Sequence, residues 1–211
     1  MKTAALFDLD GVIVDTEPRY TEFWEFIGQK YLPEDSLFAQ RIKGHTLTYI
    51  LDRYFPKDEK VQALVMEELK VHQQQMSYPL IPGVMDFVSM LRERGVGVAV
   101  VTSSDVGKME CLYRQHLDFP LCFDRIFTAE DALRSKPSPD CYLAAAHYFG
   151  LEASRCVVFE DSFNGLQAGR ASGARVVGLS TSNSPEAIAP YSDLVVPNFL
   201  DQEEILKLFE N

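Results

Sequence analysis

Two aspartates and a glycine follow directly on the first apolar segment of the sequence. Residues 4–7 are apolar and run into Asp8-Leu9-Asp10-Gly11. If the apolar run is a strand, the chain leaves the sheet at these acids, so both carboxylates can face one small volume while Gly11 permits the turn. Two close carboxylates ionise together only if a cation lies between them; otherwise one keeps its proton. The pattern therefore indicates a metal site or acid–base chemistry, although an ordinary turn would also contain these residue types.

The composition indicates a folded protein with a full hydrophobic core. The chain has 211 residues, of which 46% are hydrophobic, which suits one domain or a domain with an insertion. A net charge of -11 argues against nucleic acid as a partner, because phosphate backbones require a basic surface. The four cysteines form no C-x-x-C pair and are interpreted as reduced core thiols. We find no signal-peptide pattern and no membrane-length apolar run, so we expect a cytoplasmic protein without a membrane partner.

Hydrophobic periodicity divides the chain into a helical segment and an α/β part. From Thr16, a candidate N-cap, to about Tyr78 the apolar residues recur at helical spacing. Strands alternate with helices in the remainder, which predicts a parallel sheet covered on both faces. We predict a Rossmann-like, doubly wound α/β core domain over 1–15 and 80–211, with an inserted all-helical cap domain over 16–79. The predicted strands comprise residues 4–7, 96–102, 125–128, 156–159 and 176–179, with a weaker element at 193–196.

Polar residues follow two further predicted strands. The strand at 96–102 ends in Thr102-Ser103-Ser104-Asp105, where Ser104 or Asp105 could cap the next helix and leave Thr102 and local N–H groups for an anion. The strand at 156–159 ends in Glu160-Asp161-Ser162. In open parallel sheets, ligands bind beyond the carboxyl ends of the strands where the strand order reverses. If the first strand is central, these two ends flank Asp8.

The carboxylates at these strand ends form a candidate set of metal ligands. Helix capping alone would explain Asp161 or Ser162. Together with Asp8 and the main-chain carbonyl of Asp10, however, Glu160 and Asp161 offer only oxygen atoms. An all-oxygen set suits Mg²⁺, a hard ion with octahedral coordination.

Four segments resemble, in order, the signature motifs of the haloacid dehalogenase superfamily. The first is the apolar run followed by Asp-x-Asp-Gly and a threonine, and its long form at 10–18 is especially similar to the phosphatase and phosphomutase branch. The strand ending in Thr102 resembles the second motif, Lys136-Pro137-Ser138-Pro139 the third, and Glu160-Asp161 the fourth. Without the resemblance, Lys136 would be interpreted as an ordinary surface residue, because it is an isolated lysine before a proline. The resemblance spans essentially the whole chain, which is identified as a member of this superfamily.

The resemblance implies a role for each motif. Asp8 would be the nucleophile that forms an aspartyl-phosphate, and Asp10 would act first as general acid and then as general base. Thr102 and Lys136 would be the other catalytic residues, which balance charge on the phosphoryl group. The implied ligands of Mg²⁺ are Asp8, Asp10, Glu160 and Asp161. The implied phosphate-binding or substrate-binding residues are Gly11, Thr16, Lys43, Ser103 and Lys136.

The predicted function is Mg²⁺-dependent hydrolysis of a small phosphorylated metabolite, with a sugar phosphate preferred. A 2-haloacid dehalogenase lacks the second acid of the first motif, so Asp10 argues against that branch. The beta-phosphoglucomutase group resembles the chain throughout, including Lys43-Gly44, but its cap histidine falls at Tyr20 and its phosphate-gripping arginine at Leu47. A non-catalytic binding protein would not need all four motifs. The sequence does not identify the substrate. It also leaves the oligomeric state open and is compatible with a monomer.

Overall fold

The structure is a computed structural model that describes residues 2–42 and 47–210. It divides into two compact units, one comprising 1–15 with 78–211 and the other 16–77. We call them the α/β unit and the helical unit. The helices of the described residues are α1 (Glu17–Tyr31), α2 (Phe38–Arg41), α3 (Leu47–Tyr54), α4 (Glu59–Gln75), α5 (Val84–Glu93), α6 (Val106–Gln115), α7 (Asp140–Tyr148), α8 (Phe163–Ser172), α9 (Pro185–Ile188) and α10 (Glu203–Lys207). The strands are β1 (Ala4–Phe7), β2 (Gly97–Val101), β3 (Arg125–Phe127), β4 (Cys156–Glu160), β5 (Arg175–Leu179) and β6 (Leu194–Val196).

The α/β unit is built on one parallel sheet with the strand order β3-β2-β1-β4-β5-β6. The first strand is central, and Phe7 is in register with Val100 of β2 and Phe159 of β4. All residues of these three strands are buried, as expected for parallel strands covered on both faces. The predicted α/β fold with a parallel sheet is confirmed. The ends of β2 and β4 therefore flank the residues that follow β1.

Aromatic and aliphatic side chains fill opposite faces of the sheet. Phe7 stacks on Phe159 with ring centroids 4.5 Å apart, and the ring of Phe87 on α5 meets Phe7 edge-on at 6.3 Å. Leu6 and Val158, the preceding residues on the same two strands, belong to the cluster on the other face, because successive side chains of a strand point in opposite directions. Packing on both faces fixes the points at which β1 and β4 leave the sheet.

The helical unit has its own hydrophobic cluster. Phe23 and Ile27 of α1 and Val65 of α4 are buried in it, while Tyr20 and Leu47 pack against it and remain partly exposed. Thr16 occupies the N-cap position of α1, although its side chain makes no capping hydrogen bond to the helix. No strand occurs between residues 16 and 77 where the structure describes them. The function of this unit as a cap stays a prediction.

Two helix starts at the sheet edge are set by short polar side chains. Asp105 caps α6, since its Oδ1 accepts a hydrogen bond of 2.8 Å from the Lys108 N–H. Ser162 caps α8 by accepting 3.1 Å from the Gly165 N–H. Helix α8 consequently begins at Phe163, directly after this cap. Across the described ranges, no helix combines the length and apolar character that a membrane span requires.

Candidate active site

The turn after β1 places Asp8 at the centre of the sheet edge. The Asp8 N–H still donates to the Phe159 carbonyl at 2.9 Å, so this residue leaves the sheet beside β4. Gly11 has a φ of 72°, in the left-handed region that favours glycine. A Cβ atom on Gly11 would lie 2.0 Å from Asp161 Oδ2. Glycine is therefore required both by the turn and by the close approach of a carboxylate from the end of β4.

Lys136 joins the two predicted strand ends to Asp8. Its Nζ donates to Asp8 Oδ1 at 2.6 Å, to Glu160 Oε1 at 2.7 Å and to the Val101 carbonyl at 3.0 Å. An ammonium has three N–H donors, and these three acceptors occupy them all. Lys136, Asp8 and Glu160 are buried, and buried charges require such pairing. With its three N–H groups occupied, Lys136 would act on a bound phosphate through its positive charge rather than through a further hydrogen bond.

Glu160 is the anchor of this cluster. In addition to Lys136, its oxygens accept hydrogen bonds from the Tyr142 hydroxyl at 2.9 Å, from the Asp161 and Ser162 N–H groups, and from the Ser162 hydroxyl. A carboxylate has about four lone-pair sites, so these donors saturate it. Gly165 makes room for this arrangement, because a Cβ there would lie 1.7 Å from Glu160 Oε1.

The charges of the cluster act on one another strongly because they are buried. Burial raises the pKa of Asp8 from 3.8 to about 7, the Lys136 ammonium opposes that rise, and the negative charge of Glu160 adds to it. Burial alone would lower the pKa of Lys136, but the attraction of Asp8 and Glu160 raises it well above its ordinary value. Burial also raises the pKa of Tyr142, which therefore remains a hydrogen-bond donor near neutral pH.

The same region fits a small divalent cation. Asp8, Glu160 and Asp161 each offer an oxygen within 4.8 Å of the others, and all three residues are buried. Because the hydrogen bonds of Glu160 are saturated, Asp8 and Asp161 are better able to give an oxygen to an ion. The cluster contains three carboxylates and the single ammonium of Lys136, so its negative charges outnumber its positive one. An oxygen-only donor set with excess negative charge suits Mg²⁺.

Divalent metal binding is expected to weaken as the pH falls through about 7. Since the pKa of Asp8 is raised to about 7 without metal, its carboxyl is protonated below that pH, and the proton must leave before an oxygen can bind the ion. We expect roughly tenfold lower affinity at about pH 6 than at about pH 8. Calorimetric titration with Mg²⁺ or Mn²⁺ measures this difference, and equal affinities would contradict it.

Asp10 lies in a different environment from Asp8. Its carboxylate contacts Lys108 Nζ at 2.6 Å through Oδ1 and 2.5 Å through Oδ2, and Oδ2 also accepts 3.1 Å from the Ser104 hydroxyl. Thr102, at the end of β2, is buried, and its Oγ1 accepts a hydrogen bond from the Ser104 N–H at 3.0 Å. The segment after β2 therefore holds Asp10, whereas Lys136 holds Asp8.

The remaining predicted ligand-binding residues are more dispersed. Ser103 is exposed beside the buried Thr102. Thr16 is buried at the start of the helical unit. Lys43 lies outside the described residues. Their roles in binding phosphate or substrate stay predictions.

A third strand end, which the sequence did not single out, also contacts the site. After β5, the hydroxyl of Ser182 donates to Asp161 Oδ2, and the side-chain amide of Asn183 donates to the Asp161 carbonyl at 2.9 Å. The Thr181 hydroxyl donates to the Gly11 carbonyl at 2.5 Å. The sequence signal for this contribution to the site was a polar run directly after an apolar strand. This segment orients both Asp161 and the turn after β1.

Two further contacts were also missed. Tyr142 lies on α7, six residues after Lys136. The sequence alone identifies it only as an aromatic residue of the core. Lys108 lies in the first turn of α6, where a cation is disfavoured by the helix dipole. The one sequence signal that Lys108 pairs with an acid was its place in the first turn of a helix that follows a strand end.

Known proteins resemble this chain in sequence and in fold. Residues 2–173 match the family model of haloacid dehalogenase-like hydrolases. Hexitol phosphatase A of Escherichia coli (strain K12) is 31% identical over 83% of this chain and 82% of its own length. A fructose-1-phosphate phosphatase of the same strain is 31% identical over 82% of this chain and 94% of its own.

A solved structure supports the same assignment at the level of the fold. The structure of a haloacid dehalogenase (HAD) hydrolase of family IA, variant 3, from Entamoeba histolytica matches with a TM-score of 0.85 at 23% identity, covering 99% of this chain and 100% of that chain. The family model covers most of the present sequence, so the predicted superfamily and the prediction of a hydrolytic enzyme are confirmed. The chain belongs to the haloacid dehalogenase-like hydrolases.

Proposed function

We propose that the chain is an Mg²⁺-dependent phosphatase that hydrolyses a small phosphate monoester, a sugar phosphate, through an aspartyl-phosphate intermediate. The observation that carries the proposal is that two neighbouring carboxylates lie in different environments. Asp8 is buried against Lys136, whereas Asp10 is held by Lys108 and Ser104 and its side chain is 25% exposed. Neighbouring acids in different environments can take different roles in one reaction.

The two acids would divide the reaction into two steps. In the first, an Asp8 oxygen bonds to phosphorus while the bond from phosphorus to the alcohol oxygen breaks, and Asp10 gives that oxygen its proton. In the second, Asp10 takes a proton from water as the water attacks phosphorus, which releases inorganic phosphate and restores Asp8. Lys136 holds Asp8 oriented throughout and provides positive charge beside the reacting phosphoryl group.

The metal would be held by Asp8, Asp161 and the main-chain carbonyl of Asp10. When bound there, Mg²⁺ would offset negative charge on the phosphoryl group. Ser182 and Asn183 keep Asp161 in place for this role. Glu160 would act mainly through Lys136, because its own oxygens are already saturated.

A sugar phosphate is supported as substrate by the relatives, whose names specify hexitol and fructose 1-phosphate phosphatases. A phosphomutase would need a cation to grip the second phosphate of its bisphosphorylated intermediate. In the motif comparison that position is Leu47, and the structure packs Leu47 against the hydrophobic cluster of the helical unit. Tyr20, at the position of the family's histidine, packs there too and contacts Gln73. Water is therefore the proposed acceptor.

Net hydrolysis is the expected outcome when the enzyme is given a substrate that supports either reaction. The purified protein is incubated with Mg²⁺, beta-glucose 1-phosphate and a trace of the 1,6-bisphosphate, and glucose 6-phosphate and free phosphate are followed together. Hexitol phosphates and fructose 1-phosphate are assayed in parallel, with Asp8→Asn protein as the control for contaminating phosphatases. Rapid isomerisation with little phosphate release would favour the mutase instead.

A further inference from the structure

Lys108 is a buried cation that none of the four motifs includes. Its side chain is 4% exposed, and its ammonium contacts both oxygens of Asp10. The Asp10 side chain is 25% exposed, so one part of the acid remains open to solvent while the lysine lies behind it. The Ser104 hydroxyl, at 3.1 Å from Oδ2, restricts the same carboxylate from another direction.

Burying the ammonium of Lys108 at this position lowers the stability of the fold unless the charge is well paired or has a function. Burial of an ammonium is costly, and pairing repays that cost only when the geometry is good. Lys108 also lies in the first turn of α6, three residues after the cap Asp105, where the positive end of the helix dipole disfavours a cation. An apolar residue would fill this place in the helix at lower cost, so the fold alone does not account for the lysine.

The same segment serves both Thr102 and Asp10. The Ser104 N–H donates to Thr102 Oγ1, and the Ser104 hydroxyl donates to Asp10. Lys108, one helical turn after Ser104, donates to the same carboxylate through its ammonium. The end of β2 and the start of α6 thus form a rigid support for the acid, whereas Asp8 has its own support in Lys136.

We propose that Lys108 is a positioning residue that fixes the orientation of the Asp10 carboxylate relative to the Asp8 nucleophile. This inference rests on the proposed phosphatase reaction. A carboxylate gripped at both oxygens has little freedom to rotate, and proton transfer to a leaving group depends on alignment. Lys108 would therefore act through Asp10, without contacting the substrate itself.

The first test compares Lys108→Met with Arg114→Met, which removes an exposed cation from the same helix. On an alkyl phosphate, whose alcohol leaves poorly, we expect kcat of Lys108→Met to fall about 100-fold with KM little changed. On p-nitrophenyl phosphate, whose phenolate leaves without a proton, the loss should be about tenfold smaller. Lys108→Arg, which keeps a buried cation, should recover part of the alkyl phosphate activity and guards against a folding failure of Lys108→Met. Arg114→Met should match the wild type.

A merely structural lysine would give a different pattern. Its removal would lower the thermal midpoint and reduce turnover of both substrates by the same factor. Equal losses on the two substrates would overturn the inference.

A double-mutant cycle with Asp10→Asn separates the remaining interpretations. If Lys108 acts through Asp10, adding Lys108→Met to Asp10→Asn should change kcat on p-nitrophenyl phosphate by less than about twofold, because the acid is already lost. Multiplicative losses in the double variant would show an independent role and overturn the inference while leaving the phosphatase proposal intact. A wild-type protein that released no phosphate from any ester would overturn both.

Discussion

Replacing Asp8 with asparagine is expected to abolish phosphate release, with a loss of more than about 10⁴-fold in kcat. The amide keeps an oxygen that can accept the hydrogen bond from Lys136, so the cluster should remain assembled. The amide is not a competent nucleophile, however, and no aspartyl-phosphate can form. Phosphate release on the best available substrate measures the loss, and mass spectrometry of acid-quenched protein tests for the phosphoryl group on wild-type enzyme.

The fold of the Asp8→Asn protein should be intact. The pKa of Asp8 is raised to about 7 by burial, so its contribution to folding stability is fully present below the unfolded-state pKa and is lost as the pH rises through about 7. Without metal, the neutral variant should therefore unfold at no lower temperature than the wild type at about pH 8. Asp86→Asn changes an exposed acid of the same unit and serves as the matched control. Turnover by Asp8→Asn within tenfold of the wild type would rule out the covalent mechanism.

Removing the divalent metal is expected to abolish nearly all activity. Without a cation, Asp8, Glu160 and Asp161 would share one buried region with an anionic substrate, and Lys136 alone does not balance them. Exhaustive chelation should lower phosphate release by more than about 10³-fold, and Mg²⁺ should restore it. Full activity in chelator would remove the metal from the proposed mechanism.

Two carboxylate variants distinguish binding of the metal from support of the lysine. Asp161→Asn should lose most metal affinity, because it removes a proposed ligand that Ser182 and Asn183 hold in place. Glu160→Gln should keep metal affinity within about tenfold of the wild type yet still lose turnover, since it weakens the anchor of Lys136. Equal loss of metal affinity in both would make Glu160 a direct ligand. Calorimetric titration of the metal-free proteins provides the comparison.

The strands and the main acids could be predicted because they follow from local patterns. β1, β2 and β4 are buried on both faces and therefore appear as unbroken apolar runs, and the polar residues after them mark one edge of the sheet. Lys136 required the family resemblance, because an isolated lysine before a proline is ordinarily exposed. The structure places it at 2.6 Å from Asp8.

The supporting contacts could not be predicted, because they depend on tertiary structure. Lys108 and Asp10 are 98 residues apart in sequence, and their contact exists only because β1 and β2 are neighbours in the sheet. Ser182 reaches Asp161 in the same way, from the end of β5. No periodicity or composition signal specifies which hydroxyl or ammonium will face a given carboxylate. Saturation of Glu160 by several donors was equally invisible, although it decides how that acid can act.

The central place of β1 has a consequence for how the protein is made. β1 is the first strand in chain order, yet its two neighbours are β2 and β4. During synthesis β1 cannot pair with β4 until Phe159 has emerged from the ribosome, long after the helical unit could have folded. Until then β1 is an apolar strand with at least one open edge, the kind of segment that chaperones protect from aggregation. The proposed nucleophile, Asp8, thus follows the strand that must wait for its partners during translation.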